Sequence, residues 1–479
     1  MKHVFKMIVL ISFLLSCKQE PTVAQEVVSS ATVTNKDKLS DYLNELEKSG
    51  FSGSVLVAQK GKVLLEQGYG YSNRESKIKS TPETVFDIGS ITKQFTGAAI
   101  LKLEMQGKLS VEDNLSKYIA NVPDDKKDIT LHHLLTHSSG FQSAIGDDYE
   151  DISTQEFIEE AFKRKLVFRP GTKFTYSNVG YSFLGIIIEK VSGMSYEEYL
   201  MKHLWKPSGM YQTGYRKPLF KDIAVGYRKN KHWGKPTDKK WGVDGPYWHL
   251  KANGGVLSTT QDMYKWHQAL LGDKILDATA KTKYYGKHIE EGEGAGSYYG
   301  YGWAIFPTPR NTELIAHNGG NGIFFADMWR YLDEEITIII MTNAVDRKFE
   351  NITSQIAGIL LKPDFKPTVN EQSKGMIIGE MADQLVYEFM KIMNQNNQNI
   401  WKTFIENRMT PMFKNSFSIE KHVAMFKQLH EDLKGGKIVQ VMVKENEVAL
   451  GVKTKNGVEQ ILFDVVPNAK GELRIEGIR

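Results

Sequence analysis

Ser90 and Lys93 are the two residues of this 479-residue chain whose types and spacing best suit covalent chemistry. A serine hydroxyl is a weak nucleophile until a neighbouring base accepts its proton. Their i, i+3 spacing puts Lys93 one turn above Ser90 on the same helix face, where burial would lower the lysine pKa towards neutrality. The apolar segment after Gly89 predicts this helix from Ser90 to the residue before Gly107. The N–H groups at its start would face an oxyanion formed at Ser90.

The Ser-x-x-Lys pattern by itself is weak evidence, because it occurs three times in the chain. One further copy, Ser76 with Lys79, lies in a charged turn. The other, Ser418 with Lys421, is expected on a solvated helix face near the C-terminus. Ser90 is either a nucleophile or an ordinary helix N-cap, a position that favours serine, and the motif alone leaves both interpretations open.

A second reactive element is Tyr176-Ser177-Asn178, which precedes a predicted helix. A tyrosine can transfer protons when neighbouring cations favour its phenolate form, and an asparagine can orient both Lys93 and a substrate amide. The same pattern at Tyr71-Ser72-Asn73 precedes Ser90 and is interpreted as a turn at a strand end.

A third element, His317-Asn318-Gly319-Gly320, follows the strand predicted over Glu313 to Ala316. Glycines at a strand end allow a substrate backbone to approach closely, and a main-chain N–H there can serve as a second oxyanion donor. A plain glycine-rich turn is the alternative interpretation of this segment.

Together, the three elements resemble the ordered motifs of the serine β-lactamase and penicillin-binding-protein superfamily. The match is closest to its class C β-lactamase-like branch, which includes DD-peptidases, D-amino-acid peptidases and esterases. Three neighbouring stretches are also similar to that branch: Leu134–Gly140, Pro170–Asn178 and Gly254–Thr259. The resemblance covers about residues 38–362.

The resemblance implies a role for each element. Ser90 would be the acylated nucleophile, with Lys93 and Tyr176 as its base system. The substrate-binding residues that it implies are Asn178, His317, Gly319 and Gly320. The N–H groups of Ser90 and Gly320 would form the oxyanion hole.

The chain departs from the β-lactamase pattern where His317 replaces a lysine. A histidine of ordinary pKa is mostly neutral at pH 7, and a nearby Lys93 would lower that pKa further. Anionic substrates are therefore expected to bind less well than neutral ones. Arg330 is a candidate replacement cation, with an exposed strand-end arginine as the alternative interpretation.

The order of the other segments predicts how these residues come together. A helix is predicted over Leu39 to Leu46 and another over about Lys348 to Leu361. The predicted strands are Phe51–Gln59, Val63–Gly68, Tyr301–Phe306, Glu313–Ala316, Phe324–Tyr331 and Ile336–Thr342. This order predicts an α+β fold: one antiparallel sheet flanked by terminal helices, with a large helical insertion facing it. The site would lie in the cleft between sheet and insertion.

Residues 363–372 contain two prolines and no periodicity, and are interpreted as a linker between domains at 38–362 and 373–479. Beyond it, helices followed by strands predict a smaller α+β domain. The predicted helices are Lys374–Met393, Ile400–Met409 and Ser418–Lys434, with strands starting near Lys437, Glu447, Val458 and Glu472. The pattern resembles the cone of the nuclear-transport-factor-like fold and is interpreted as an accessory domain.

The first residues of the chain predict export. Basic residues precede the short apolar stretch Met7 to Leu15, which is typical of a signal peptide. The sequence Leu14-Leu15-Ser16-Cys17 resembles a lipoprotein signal, in which residues 1–16 are removed and Cys17 carries the lipid. A chance cysteine in a discarded leader is the alternative. Residues 17–37 would then tether the protein to the periplasmic or cell-surface side of a bacterial membrane.

Several other function classes find little support. The formal net charge is only +4, and no basic run with interleaved aromatic residues occurs, so nucleic acid is not an expected partner. His133 and His137 have a zinc-ligand spacing, but no glutamate follows His133 as in His-Glu-x-x-His, which favours structural loop histidines. The absence of a Gly-x-Ser-x-Gly elbow argues against an α/β-hydrolase. No metal or cofactor is expected.

The leading hypothesis is hydrolysis of an ester or amide, in a small molecule or peptide, through an acyl-Ser90 intermediate. A true β-lactamase or a DD-carboxypeptidase acting on peptidoglycan is the alternative within the same fold. A third possibility is a non-catalytic receptor that binds acyl ligands and signals through the C-terminal domain. The intact nucleophile, base and Tyr-x-Asn element argue against the receptor, which needs none of them.

Overall fold

The computed structural model describes residues 34–292, 295–346, 349, 351–369, 378–444, 447–455, 457–468 and 472–478. The predicted signal peptide, Cys17 and most of the predicted tether lie outside these residues. We refer to residues 34–369 as the large domain and to residues 378–478 as the C-terminal domain.

Fourteen strands and nine helices make up the described part of the large domain. The strands are β1 (Gly53–Gln59), β2 (Lys62–Tyr69), β3 (Tyr71–Asn73), β4 (Ile78–Lys79), β5 (Phe86–Asp87), β6 (Gly226–Arg228), β7 (Lys231–Gly234), β8 (Leu257–Ser258), β9 (Ile289–Glu290), β10 (Tyr298–Tyr299), β11 (Ala304–Pro307), β12 (Glu313–Gly320), β13 (Phe325–Tyr331) and β14 (Ile336–Thr342). The helices are α1 (Asn35–Lys48), α2 (Thr92–Met105), α3 (Leu131–Leu135), α4 (Thr154–Lys163), α5 (Asn178–Ser192), α6 (Tyr196–Leu200), α7 (Thr260–Leu271), α8 (Ala278–Tyr284) and α9 (Ile352–Leu361).

Eight strands form one antiparallel sheet in the order β2–β1–β14–β13–β12–β11–β10–β9. Its two faces belong to different hydrophobic cores, because successive side chains of a strand point to opposite sides. Ile338 and Ile340 of β14 pack on one face with the terminal helices α1 and α9. Ile339 and Met341 pack on the other face with the inserted helices, among them α2, α5 and α7. This arrangement confirms the predicted fold.

The strongest sequence patterns are confirmed as elements. The four apolar residues of the first predicted helix are the buried face of α1. The predicted hairpin is β1 and β2, which pair antiparallel on either side of Lys60-Gly61. Ser195 and Glu198 have the spacing that predicts a capping box, and they form one at the start of α6.

Two predicted strand boundaries and one predicted turn are wrong. The strand predicted from Tyr301 begins at Ala304 in β11, because Gly300–Trp303 form a turn closed by a bond from the Gly300 N–H to the Trp303 carbonyl. Tyr71-Ser72-Asn73, expected as a turn, is the short strand β3. The strand predicted to end at Ala316 continues to Gly320 in β12, because it stays paired with β13 as far as Phe325.

The C-terminal domain places four helices before four strands. These are α10 (Ile378–Met393), α11 (Gln398–Arg408), α12 (Pro411–Ser416), α13 (Ile419–Leu433), β15 (Lys437–Lys444), β16 (Glu447–Thr454), β17 (Gly457–Pro467) and β18 (Leu473–Ile478). The strands pair antiparallel in sequence order around a separate hydrophobic core. Helix α12 was not predicted; Thr410 caps it and Pro411 opens it, which is a favourable first position for proline.

Two further observations concern the predicted linker and the question of a membrane-spanning helix. Phe365 and Val369, which the sequence analysis assigned to the linker, pack against the core beneath α1 and α9. Among the described residues, no helix is both long and apolar enough to cross a membrane.

Candidate active site

Ser90 lies where a short strand turns into a helix. Strand β5 pairs with β8, and one 3-10 turn, Gly89–Ile91, then leads directly into α2. Gly89 has a φ of 49°, a left-handed conformation that favours glycine. This tight turn holds Ser90, which is half-buried, at the start of a helix whose own side chains are largely buried.

Lys93 is fully buried, and its Nζ has three oxygen neighbours. It lies 3.0 Å from Ser90 Oγ, 2.8 Å from Asn178 Oδ1 and 2.7 Å from the Asn253 carbonyl oxygen. Burial lowers the pKa of Lys93 well below its ordinary value. A neutral amine has two N–H donors and one lone pair. Two of its neighbours are acceptors only, whereas the hydroxyl of Ser90 can also donate, so a neutral Lys93 amine would have its lone pair available to the Ser90 proton.

Tyr176 interacts with the same hydroxyl. Burial raises the pKa of Tyr176, and its hydrogen bond with the Ser90 side chain opposes this rise. Lys93 Nζ is 4.7 Å from the centre of the tyrosine ring, but burial lowers the pKa of Lys93 well below its ordinary value, which weakens its support for a phenolate. These electrostatics favour the phenol over the phenolate considered in the sequence analysis. With Tyr176 as the phenol, Lys93 remains the predicted proton acceptor of the two.

The loop of Tyr176 is held by a buried histidine. His137 Nδ1 accepts the Ser177 N–H at 3.0 Å, and its ring centre lies 4.2 Å from that of Tyr176. Burial lowers the pKa of His137 well below its ordinary value, and Lys93 lowers it further. Neutral His137 therefore positions the tyrosine loop. No group of three or more metal-binding side chains occurs in the part of the chain that the structure describes.

His317 faces the reactive groups from strand β12. Its Nδ1–H donates to the Asn318 carbonyl at 2.6 Å, which leaves Nε2 to accept from the Tyr299 hydroxyl at 2.8 Å. Burial lowers the pKa of His317 to about 3, with the Lys93 charge as a smaller contribution. The neutral state expected from the sequence therefore agrees with this geometry.

The backbones of the Ser90 turn and β12 are in direct contact. A Cβ on Gly319 would lie 2.4 Å from Ser90 N, and one on Gly89 would lie 2.5 Å from Gly320 N. Glycine is therefore required on both sides of this contact, which places the backbone of Gly89 and Ser90 against that of Gly319 and Gly320. Two N–H donors from adjoining backbone segments can stabilise an oxyanion.

Beside this contact, β12 has an open edge. Strand β11 pairs with β12 only as far as Ala316, so His317–Gly320 have a strand partner on one side only. The adjoining cleft has a volume of about 810 Å³, and its lining includes Ser90, Tyr176, Glu291, Tyr299, His317 and Gly320. An extended acyl donor can lie along this edge with its carbonyl at Ser90.

The comparison with known families agrees with this geometry. The family model described as Beta-lactamase matches residues 39–359. The chain belongs to the beta-lactamase family. Members of this family and the related penicillin-binding proteins are serine hydrolases, and the matched segment contains all three reactive elements.

Individual relatives have similar architecture. Penicillin-binding protein 4* of Bacillus subtilis (strain 168) is 29% identical over 337 residues, which cover 66% of this chain and 73% of that protein. The octameric penicillin-binding protein homologue from Pyrococcus abyssi is 26% identical with a TM-score of 0.61, covering 90% of this chain and 91% of that one. FmtA from Staphylococcus aureus is 26% identical with a TM-score of 0.58, covering 72% and 94%.

Asn253 is a site residue of this beta-lactamase family member that sequence reasoning missed. Its carbonyl accepts from Lys93, while its side chain donates to Ser182 Oγ at 2.9 Å and to the His249 carbonyl at 3.0 Å. The two side-chain bonds hold the loop, so the carbonyl keeps its direction. The only sequence signal was its place before Gly254-Gly255, in a stretch already noted as similar to the family.

Arg330 is not at the site, and the suggestion that it binds a substrate carboxylate is wrong. It is completely buried, with Nε donating to His267 at 3.0 Å and a terminal nitrogen donating to Tyr285 at 2.6 Å. In β13 it lies on the same sheet face as Met328, which packs in the core with the inserted helices. Strand alternation thus directs it into the protein core.

Proposed function

We propose that this chain is a hydrolase that cleaves an ester or amide bond through an acyl-Ser90 intermediate. The observation that carries the proposal is the environment of Lys93: a buried amine, 3.0 Å from Ser90 Oγ, whose other two polar neighbours can only accept hydrogen bonds. A base poised in this way activates a serine without a histidine.

In the acylation step, the Ser90 proton moves to Lys93 Nζ as Oγ bonds to the substrate carbonyl carbon. The carbonyl oxygen becomes an oxyanion held by the N–H groups of Ser90 and Gly320. Collapse of this intermediate breaks the bond to the leaving group, which takes a proton from the Tyr176 hydroxyl. Tyr176 regains that proton from Lys93, which returns to the neutral amine.

In the deacylation step, a water molecule attacks the acyl-Ser90 ester and gives its proton to the same pair. The second oxyanion accepts hydrogen bonds from the same two N–H groups. Its collapse breaks the bond to Ser90 Oγ, which takes the proton back, and the carboxylic acid is released. The enzyme returns to its starting protonation state.

The charges around the site favour neutral acyl donors over anionic ones. His317 is neutral where β-lactamases carry lysine. In the described part of the cleft, Arg310 is already bound to Glu334 at 2.5 Å. Two carboxyl groups act on the reactive residues: Asp148 on Lys93 and Glu291 on Tyr176. A substrate carboxylate would meet repulsion here, which favours esters, or amides without a free carboxylate, over penicillins.

The test combines labelling with turnover. A fluorophosphonate probe should add one phosphonyl group to the wild type and none to Ser90→Ala, as read by intact-protein mass spectrometry. Ser418→Ala is the matched control and should label like the wild type. The wild type should then hydrolyse a short-chain p-nitrophenyl ester more efficiently than nitrocefin. Efficient nitrocefin hydrolysis would favour the β-lactamase alternative, and an unlabelled wild type would favour the acyl-ligand receptor.

We also propose that the enzyme is exported and anchored by lipid on Cys17, and that the C-terminal domain is an accessory module of the nuclear-transport-factor-like type. Cys17 is the only cysteine of the chain. Cys17→Ser should move the protein from the membrane fraction to the soluble fraction of a bacterial expression host, because anchoring would rest on acyl chains. A variant that still needs detergent for extraction would contradict the lipid anchor.

A further inference from the structure

Asp87 is a buried carboxylate close to the nucleophile with no part in the proton transfers described above. It is the last residue of β5 and only 2% exposed. One carboxylate oxygen accepts the Gly89 N–H at 2.8 Å, and the other accepts from Asn321 Nδ2 at 3.0 Å. Burial raises the pKa of Asp87 to about 7, and these two hydrogen bonds oppose the rise. The burial of this charge is therefore unfavourable unless both donors are present.

Asn321 is itself fixed. It follows β12 directly, and its Oδ1 accepts the N–H groups of Ile323 at 3.0 Å and Phe324 at 2.9 Å. Its own N–H donates to the Phe324 carbonyl. With its oxygen occupied in the turn between β12 and β13, the side-chain NH₂ must face Asp87.

The Asp87 carboxylate therefore links the two backbone segments that form the oxyanion hole. Gly89 immediately precedes Ser90, and Asn321 immediately follows Gly320. These two segments are distant in the sequence, since Asp87 and Asn321 are separated by 234 residues. A catalytic site requires positional precision of about 0.5 Å, and the glycine-to-glycine contact between these segments has no side chains to provide it.

We propose that Asp87 is a positioning residue that, through Asn321, holds the N–H groups of Ser90 and Gly320 in register for the oxyanion. The inference rests on the proposed acyl transfer at Ser90. It extends that proposal by assigning a function to two residues that neither attack the substrate nor accept its proton.

The chemistry of the link explains why a carboxylate is needed. A carboxylate only accepts hydrogen bonds, whereas an amide has one accepting oxygen and one donating NH₂. Asp87→Asn would therefore place an NH₂ group opposite either Gly89 or Asn321 and break one side of the link. Asn321→Asp alone would place two carboxylates against each other.

The double variant Asp87→Asn with Asn321→Asp reverses the bond without losing it. The new amide oxygen at position 87 accepts from Gly89, and its NH₂ donates to the new carboxylate at position 321. The other oxygen of that carboxylate still accepts from Ile323 and Phe324. The number of hydrogen bonds and the net charge are unchanged.

The experiment measures kcat, KM and inhibition by phenylboronic acid for these variants. Phenylboronic acid becomes a tetrahedral anion when a serine oxygen adds to boron, so its affinity reports on the oxyanion hole. Loss of one oxyanion donor lowers kcat by about 10²–10³-fold. We expect each single variant, with its donors displaced, to lose about 10–100-fold in kcat and similarly in boronate affinity, with KM within about 3-fold. The double variant should recover most of both losses.

Thermal melts of all variants separate positioning from folding. If Asp87→Asn does not fold, Asn321→Ala gives a second test: it removes the donor to Asp87, together with the acceptor of the Ile323 and Phe324 N–H groups, and leaves the residues of the Ser90 turn unsubstituted. Folded single variants with wild-type kcat would overturn the inference, and so would a double variant that recovers melting temperature but not kcat. A wild type that shows neither labelling nor turnover would contradict the proposed function, and with it this inference.

Discussion

Two copies of Ser-x-x-Lys in this chain begin helices yet differ in everything that surrounds them. Ser418 caps α13 and accepts the Lys421 N–H at 3.4 Å, while the Lys421 side chain is exposed. Lys93 is fully buried, and its amine is held by oxygen atoms from three separate segments. The spacing only brings serine and lysine onto one helix face. Burial and pure acceptors on two sides are what would allow a lysine to act as the proposed base.

The largest expected effect is the difference in turnover between Ser90→Ala and Ser418→Ala. Ser90→Ala should lower kcat/KM for a p-nitrophenyl ester by at least about 10⁴-fold, because no other group can form the acyl intermediate. Ser418→Ala should leave turnover unchanged and lower stability by about 0.5–2 kcal/mol through loss of a helix cap. Ester kinetics and urea unfolding measure the two effects. Turnover that survives in Ser90→Ala would remove Ser90 from the mechanism.

The next effect concerns the partners of Ser90. Lys93→Ala and Tyr176→Phe should each lower kcat by about 10²–10⁴-fold, the usual contribution of a positioned acid or base. Their combination should cost far less than the product, since groups of one proton-transfer unit are strongly non-additive. Lys421→Ala is the control and should have no effect. Losses that simply multiply would show that Lys93 and Tyr176 act independently.

The pH dependence should show the effect of burial on Lys93. An exposed lysine is neutral only above about pH 10.4, whereas burial lowers the pKa of Lys93 well below that. Turnover should therefore be present near neutral pH and fall about tenfold per pH unit below the lowered pKa. An acid limb that begins only near pH 10 would contradict a buried, neutral base.

The lowered pKa of Lys93 also predicts how the free energy of unfolding depends on pH. Between the lowered folded pKa and the unfolded pKa, the unfolded chain binds one more proton at Lys93, so stability rises with pH by up to about 1.4 kcal/mol per unit. Lys93→Met should lose this contribution, which urea unfolding at several pH values would measure. Equal slopes for both proteins would mean that the folded lysine stays charged.

A smaller effect is expected from changing the charge at position 317, close to Lys93. His317→Lys should shift the ratio of nitrocefin to p-nitrophenyl ester kcat/KM by about tenfold towards nitrocefin, the value of one modest charge–charge interaction. The added cation would offset the carboxyl groups of Asp148 and Glu291. His317→Gln, which adds no charge, is the matched control. An unchanged ratio in the lysine variant would show that another feature sets substrate charge preference.

The sequence was sufficient for the features that have local causes. Amphipathic periodicity predicted α1, and turn residues predicted the β1–β2 hairpin. Motif order also singled out Ser90, Lys93, Tyr176 and Asn178, which the structure brings together; their catalytic roles remain predictions. The helix pattern, the hairpin turn and each single motif span only a few residues, so they could be recognised without tertiary information.

The features that the sequence did not reveal depend on contacts between distant segments. Asn253 acts through its carbonyl, which every residue has, so its side chain gave no signal. Arg330 was expected at the surface, but the alternation of a strand buried on both faces directs it into the core. The partnership of Asp87 with Asn321 likewise exists only once β5 meets the end of β12.

The smallest effect is expected from deleting the C-terminal domain, which contains Ser418 and Lys421. Among the residues whose burial the structure describes, the hydrophobic core of the C-terminal domain extends from Ala382 to Ile475 and includes no residue of the large domain. A cut after Pro367, within the predicted linker, would remove Val369 and the bond from the Thr368 N–H to Gln355. A chain ending at Val369 keeps both.

We therefore expect the Val369 truncation to fold, to label at Ser90, and to hydrolyse a small p-nitrophenyl ester within about 3-fold of the full-length rate, since all the reactive groups precede the cut. The Pro367 truncation should melt lower by a few degrees, as expected for the loss of about 1 kcal/mol of packing. Thermal melts, probe labelling and ester kinetics compare the three proteins. A Val369 truncation that is folded yet inactive would show that the C-terminal domain completes the site, and the two Ser-x-x-Lys regions would then be functionally coupled.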